Sequence, residues 1–128
     1  MEKTFSITNA TKGRLPRLPF SEMKKAVLGA SYTLSLVFIN DTSAQRFNQV
    51  YRKKSTPANV LAFPLADDEG EICINTSRAK REAPEYGLTY RNHLAFLFIH
   101  GLLHLKGERH GSTMEKEERK YMRRFGLM

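Results

Sequence analysis

The sequence has little of what holds small secreted domains together or carries a chain through a bilayer. It contains one cysteine, Cys73, and no tryptophan in 128 residues. An internal disulfide is therefore excluded and a reducing compartment is favoured. The longest nearly apolar run, Leu94 to Leu105, contains two histidines and is shorter than the roughly 20 residues that a membrane-spanning helix needs. No apolar block follows Met1, so we expect no secretory signal and a soluble cytoplasmic protein without membrane association.

Positive charge is in excess. The chain has 21 Lys and Arg against 13 Asp and Glu, which gives a formal net charge of +8. Such a charge on a small protein favours polyanionic partners, although basic residues can also simply solvate a surface. The length predicts a single domain over residues 1–128 with a core of its own. We therefore expect one basic domain that binds nucleic acid.

The hydrophobic pattern alternates between the periods of strands and helices. The predicted strands cover residues 5–7, 32–39, 60–63 and 71–74, the last two forming a hairpin, with the strand at 60–63 stopping before Pro64. The predicted helices cover 21–29 with Ser21 as N-cap, 42–51, 77–82, 89–106 and 113–125. This order predicts an α/β (α+β) domain, with a small mixed four-stranded sheet packed against helices.

Three histidines near the end of the predicted apolar helix indicate a metal site. His100 and His104 are four residues apart and so lie on one helix face, and Gly107 can turn the chain so that His110 returns to that face. Three imidazoles without a fourth protein ligand are typical of a catalytic zinc with an open position for water. Histidines buried without a metal are the alternative, but two unpaired imidazoles in a core would be costly. Imidazole ligands suit Zn, Cu, Ni or Fe rather than Mg, so we predict one such metal ion on the central apolar helix.

The residue after the first histidine separates two classes of enzyme. The spacing of His100, His104, Gly107 and His110 equals that of the metzincin proteases, which carry a glutamate base directly after the first histidine. Here that position is Gly101, which cannot accept a proton. The spacing alone therefore does not predict a protease of that type.

With Gly101 and Leu103 in place, the segment resembles the YbeY endoribonuclease family, whose signature is H-G-x-L-H-L-x-G-x-D-H. Three further segments are similar to that family. They are Phe47 to Arg52, similar to L-N-x-x-Y-R; Thr56 to Pro64, similar to T-D/N-V-L-S-F-P; and Gly70 to Ile74, similar to G-D-I-x-I. The sequence departs from the family at two positions, since Arg109 replaces the aspartate before the last histidine and Ala62 replaces the serine.

The resemblance implies a zinc-dependent endoribonuclease that cleaves single-stranded RNA. It implies a role in maturation of small-subunit ribosomal RNA and in ribosome quality control, with ribosomal RNA and the small subunit as partners. His100, His104 and His110 would be the metal ligands, and Arg109 leaves open which group acts as general acid or base. Either a metal-activated water or the ribose 2′-hydroxyl can serve as nucleophile.

Arg52 is the candidate phosphate-binding residue. Its guanidinium can bind phosphate oxygens through paired hydrogen bonds, and Asn48 lies one turn earlier on the same predicted face. A cation that only completes a helix C-terminus is the alternative. The Tyr-Arg resemblance favours the functional interpretation. The candidate catalytic residues are therefore Arg52 and His100.

Other polar residues are weaker candidates for metal binding or catalysis. His93 lies about 10.5 Å along the helix from His100, too far to share an ion, and Cys73 stands between isoleucines on a predicted core strand. The charged run from Glu115 to Lys120 reads as a solvated helix face. Two other functions stay open: a non-catalytic, zinc-containing RNA-binding assembly factor and a metalloprotease whose base comes from outside the motif.

Overall fold

The computed structural model describes residues 4–42, 59–108 and 111–128. The predicted helix over 42–51 lies almost entirely outside these residues. In the described residues a four-stranded sheet has the order β1-β2-β4-β3. The strands are β1 (Phe5–Asn9), β2 (Thr33–Ile39), β3 (Val60–Ala66) and β4 (Glu69–Asn75). β2 pairs in parallel with both β1 and β4, whereas β3 pairs antiparallel with β4. The predicted mixed sheet and hairpin are confirmed.

Within the described residues, the helices follow the predicted order, and the predicted helix over 42–51 is not tested there. They are α1 (Phe20–Leu28), α2 (Thr76–Glu82), α3 (Tyr90–Lys106) and α4 (Ser112–Arg124), with a short 3₁₀ helix (Ala83–Tyr86) between α2 and α3. None of the helices in the described ranges is long and apolar enough to cross a membrane.

α3 is the central helix of the domain. It packs against α1, α2, α4 and the strands β3 and β4, and apolar residues occupy nearly all of its circumference. A helix that is apolar all round is buried, and Leu94, Phe98 and Leu102 are indeed fully buried. Alternate residues of β2, Leu34 and Leu36 among them, face this cluster. The predicted apolar helix therefore forms the middle of the core.

Two predicted boundaries are wrong, for identifiable reasons. β3 continues through Pro64 to Ala66, because β3 lies at the edge of the described sheet, where a residue without an N–H is tolerated. The N-cap of α1 is Pro19 rather than Ser21. Phe20 is already helical and buried, and its ring contacts Phe98 with centroids 5.3 Å apart. Tertiary packing therefore decides where α1 begins.

Candidate metal centre

The ends of α3 are fixed by local signals. At its start the Thr89 side chain accepts a hydrogen bond from the Asn92 backbone N–H at 3.1 Å, which satisfies one of the free donors of the first turn. At its end Gly107 has φ of 105°, and its N–H donates to the His104 carbonyl at 3.0 Å. The C-terminal part of α3, which carries His100 and His104, is therefore held in regular helical geometry.

The two histidines approach each other closely. The Nε2 atoms of His100 and His104 lie 3.2 Å apart, and their ring centroids are 4.7 Å apart with planes at 80°. Two nitrogens that are each about 2.0–2.1 Å from a tetrahedral Zn²⁺ would be about 3.3 Å from one another. The observed separation fits two ligands of one ion, and imidazole nitrogen is a preferred donor for zinc.

Glu118 orients the first of these histidines. Its Oε2 lies 2.8 Å from His100 Nδ1, so that in the matching tautomer Nδ1–H donates to the carboxylate and Nε2 presents its lone pair toward His104. This carboxylate–histidine arrangement is the usual support of a metal-binding imidazole. Glu118 is only 6% exposed.

For Glu118, the prediction that residues 115–120 form a solvated face is wrong. Met114, Glu118 and Tyr121 are buried together on one side of α4, at spacings of four and three residues. A glutamate in the middle of such a buried stripe is a signal that the sequence carries, since an isolated charge is rarely buried without a partner.

Gly101 packs directly against the sheet. A Cβ built at this position would lie 3.1 Å from a side-chain carbon of Ile72 on β4. Any side chain at this position would therefore require Ile72 to shift by a few tenths of an ångström. The close packing of α3 on β4 favours glycine at the position where the metzincins carry their base.

A cleft of about 970 Å³ surrounds the histidine pair. β3 forms one wall from Val60 to Pro64, and α3 forms the opposite wall with Phe96, His100 and His104. Tyr86 of the 3₁₀ helix and the carboxylates Glu115 and Glu118 of α4 also line it. The candidate metal centre is thus accessible to a large substrate, and Ala62, where the resemblance leads us to expect serine, is part of its wall.

Several predicted site residues lie outside the described residues. These are His110, Arg109, Arg52 and Asn48. Within residues 4–42, 59–108 and 111–128, no three histidine, cysteine or carboxylate side chains form a cluster that could hold a metal. The third predicted ligand, His110, therefore stays a prediction.

His93 and Cys73, which were not predicted to be metal ligands, have packing roles. His93 is fully buried, and its Nε2 lies 3.5 Å from Glu82 Oε1. Cys73 is buried against Ile39 and Leu61, and burial raises the pKa of its thiol to about 12. A thiol held in its neutral form is a poor metal ligand.

Comparison with known proteins agrees with the family resemblance seen in the sequence. The family described as Endoribonuclease YbeY matches residues 5–126. A protein of that name from Carboxydothermus hydrogenoformans is 38% identical over 100 residues, covering 74% of this chain and 68% of that relative. One from Pelotomaculum thermopropionicum is 35% identical over 130 residues, covering 93% and 84%. A solution structure from Thermotoga maritima superimposes with a TM-score of 0.65 at 26% identity, covering 91% and 85%.

Proposed function

The chain belongs to the YbeY endoribonuclease family, and we propose that it is a zinc-dependent endoribonuclease specific for single-stranded RNA. The observation that supports this most directly is the pair of Nε2 atoms 3.2 Å apart at the wall of an open cleft, with Glu118 on the far nitrogen of His100. We further propose that its substrate is small-subunit ribosomal RNA, in maturation and quality control of cytoplasmic ribosomes.

In this proposal His100, His104 and His110 hold the ion. When bound, zinc supplies a Lewis acid that lowers the pKa of a coordinated water toward about 7. Glu118 keeps His100 in one tautomer and one orientation, so that its Nε2 stays directed toward His104. His100 is counted with the catalytic residues because it would contact the ion directly. Its orientation is fixed by Glu118 before any substrate binds.

Arg52 is proposed to hold the scissile phosphate. A guanidinium stays protonated at any working pH and offers two parallel N–H donors to phosphate oxygens, so it binds charge rather than moving protons. The net charge of +8 supports binding to a polyanion in general. Arg109 stands where the family has aspartate, next to His110 in the sequence, and therefore leaves open which group acts as general acid or base.

The test measures metal and activity on the same sample. Zinc content of the purified protein should be close to one ion per chain. Cleavage of a single-stranded RNA should be lost after chelation and restored by zinc, whereas a duplex of the same sequence and casein should stay intact. Metal-free protein that cleaves RNA equally well would overturn the zinc assignment. Zinc-loaded protein that binds RNA without cutting it would favour an assembly factor.

The ends of the products identify the nucleophile. Attack by a 2′-hydroxyl leaves a cyclic phosphate on the ribose, whereas attack by water leaves a simple phosphate monoester. A substrate with a single 2′-deoxy position at the cleavage site would be cut only in the second case.

A further inference from the structure

One large aromatic side chain is exposed at the cleft. Among the described residues, four large hydrophobic side chains are exposed, and of these only Tyr86, at 58%, lines the cleft. The others, Ile7, Leu65 and Met128, do not line it. A single exposed apolar side chain is ordinary on a protein surface, so what distinguishes Tyr86 is the position of its ring in the cleft and what supports that ring.

The backbone around Tyr86 is firmly held. Gly87 adopts the left-handed conformation with φ of 66°, and its N–H donates to the Pro84 carbonyl at 3.1 Å. The Leu88 N–H donates to the Ala83 carbonyl at 3.0 Å. These bonds close the 3₁₀ helix and fix the direction in which Tyr86 leaves the chain.

The ring of Tyr86 is also supported from one side. It stacks on the buried imidazole of His93, with centroids 4.8 Å apart and planes at 22°. His93 is in turn within 3.5 Å of Glu82 Oε1. A ring that is already ordered on one side pays little conformational entropy when a second planar group stacks on it.

Tyr86 is connected to the metal centre by one further ring. Phe96 lies 6.3 Å from Tyr86 and 6.3 Å from His100, measured between ring centroids, and all three residues line the cleft. Tyr86 and the histidine pair are thus joined through Phe96 along the lining of one cleft. The cleft therefore offers a planar apolar surface at one end and metal ligands at the other.

We propose that Tyr86 is a stacking platform for an unpaired nucleobase next to the scissile phosphate. The inference rests on the proposed endoribonuclease function and supplies a physical basis for the preference for single strands. A base inside a duplex is already stacked on its neighbours, whereas an unpaired base can lie on an aromatic ring. Because every base has a π-face, the platform should hold any of the four bases at this position.

Binding of a non-cleavable RNA tests the platform directly. The probe is a single-stranded 2′-O-methyl oligonucleotide, titrated onto zinc-loaded protein. Tyr86→Ala should weaken binding about tenfold, Tyr86→Phe should bind within about twofold of the unaltered protein, and Ile7→Ala controls for loss of an exposed apolar group elsewhere. The salt dependence of binding should not change, because no phosphate contact is removed.

An abasic probe separates stacking from a structural effect. On an oligonucleotide with an intact backbone but no bases, Tyr86→Ala and the unaltered protein should bind equally. Equal loss on both probes would overturn the proposal, as would a Tyr86→Ala protein that binds the base-containing probe normally.

Fluorescence provides a second readout. The chain has no tryptophan, so Tyr86→Trp creates a single reporter at the platform. Its emission should be quenched by the base-containing probe and unaffected by the abasic one; unchanged emission with bound RNA would overturn the proposal. If the unaltered protein neither binds nor cleaves single-stranded RNA, the proposed function fails together with the platform. If it does both and Tyr86 is neutral, only the platform fails.

Discussion

Two histidines on α3 each face a glutamate, yet their surroundings differ in nature. His93 is fully buried and uses Nε2 toward Glu82 at 3.5 Å, while its Nδ1 has no hydrogen-bond partner among the described residues. His100 uses Nδ1 toward Glu118 at 2.8 Å, while its Nε2 points to His104 at the cleft. The first pair lies in the core where α2 meets α3, whereas in the second pair the other ring nitrogen of His100 faces His104 in the lining of the cleft.

In each pair one ring nitrogen contacts a glutamate, and the surroundings of the other ring nitrogen distinguish the two histidines. Burial lowers the pKa of His93, although Glu82 opposes this effect, so its ring is held neutral as packing material. Around His100, a similar carboxylate contact would favour the tautomer that the proposed metal binding requires. The structural pair of His93 and Glu82 and the candidate functional pair of His100 and Glu118 thus lie on the same helix, with their histidines seven residues apart.

Removal of a proposed ligand should have the largest effect. His104→Ala leaves one of the two convergent Nε2 atoms and should reduce zinc affinity by more than the 10–100-fold that loss of an outer-shell partner costs. RNA cleavage should disappear while much of the fold remains, because the core does not depend on these side chains. Metal analysis after dialysis and circular dichroism measure the two effects. Stoichiometric zinc in His104→Ala would refute the ligand assignment.

Substitution of Arg52 should impair RNA cleavage without affecting zinc binding. Arg52→Ala should keep zinc and fold but lose about 2–4 kcal/mol of transition-state stabilisation, the scale of one electrostatic donor. Arg52→Lys should restore only part of this, because an ammonium keeps the charge without the paired donors. Steady-state cleavage at saturating zinc is the measurement. Normal turnover by a folded, zinc-loaded Arg52→Ala would reduce Arg52 to a helix-end cation.

Much of this arrangement follows from local sequence signals. Thr89 and Gly107 mark the ends of α3, and the spacing of His100 and His104 places them on one face, so this half of the site is predictable. The apolar stripe of α4 indicates that Glu118 is buried, but its contact with His100 depends on the packing of α4 against α3, which no local pattern specifies. Likewise, in the sequence Gly101 is notable only because it replaces the glutamate base of the metzincins. In the structure, a side chain at this position would crowd Ile72. Packing across elements is therefore what sequence reasoning lacked.

Loss of the Glu118 carboxylate should lower zinc affinity less than loss of a metal ligand, but more than loss of a neighbouring carboxylate on α4. Glu118→Gln keeps the volume and removes the charge. An amide can donate as well as accept, so it selects one tautomer of His100 less strongly, and zinc affinity should fall about 10–100-fold. Glu117→Gln is the matched control one position earlier on α4, where the carboxylate lies 3.6 Å from Lys120. Competition with a zinc-binding dye compares the two variants. Equal affinities would show that the charge of Glu118 does not contribute to metal binding.

His93 should affect stability without affecting the metal. Its pKa is lowered from the ordinary value of 6.5, so protonation favours the unfolded chain. The contribution of neutral His93 is therefore complete above pH 6.5 and is lost as the pH falls through 6.5 toward the lowered value. His93→Leu removes this titration and the contact with Glu82, at a cost of about 1–3 kcal/mol at neutral pH. Denaturant unfolding between pH 8 and 5 should show a shallower decline for His93→Leu than for the unaltered protein, with zinc content equal in both. A parallel decline would mean that His93 does not titrate on unfolding, and loss of zinc would mean that the two histidine–glutamate pairs are not independent.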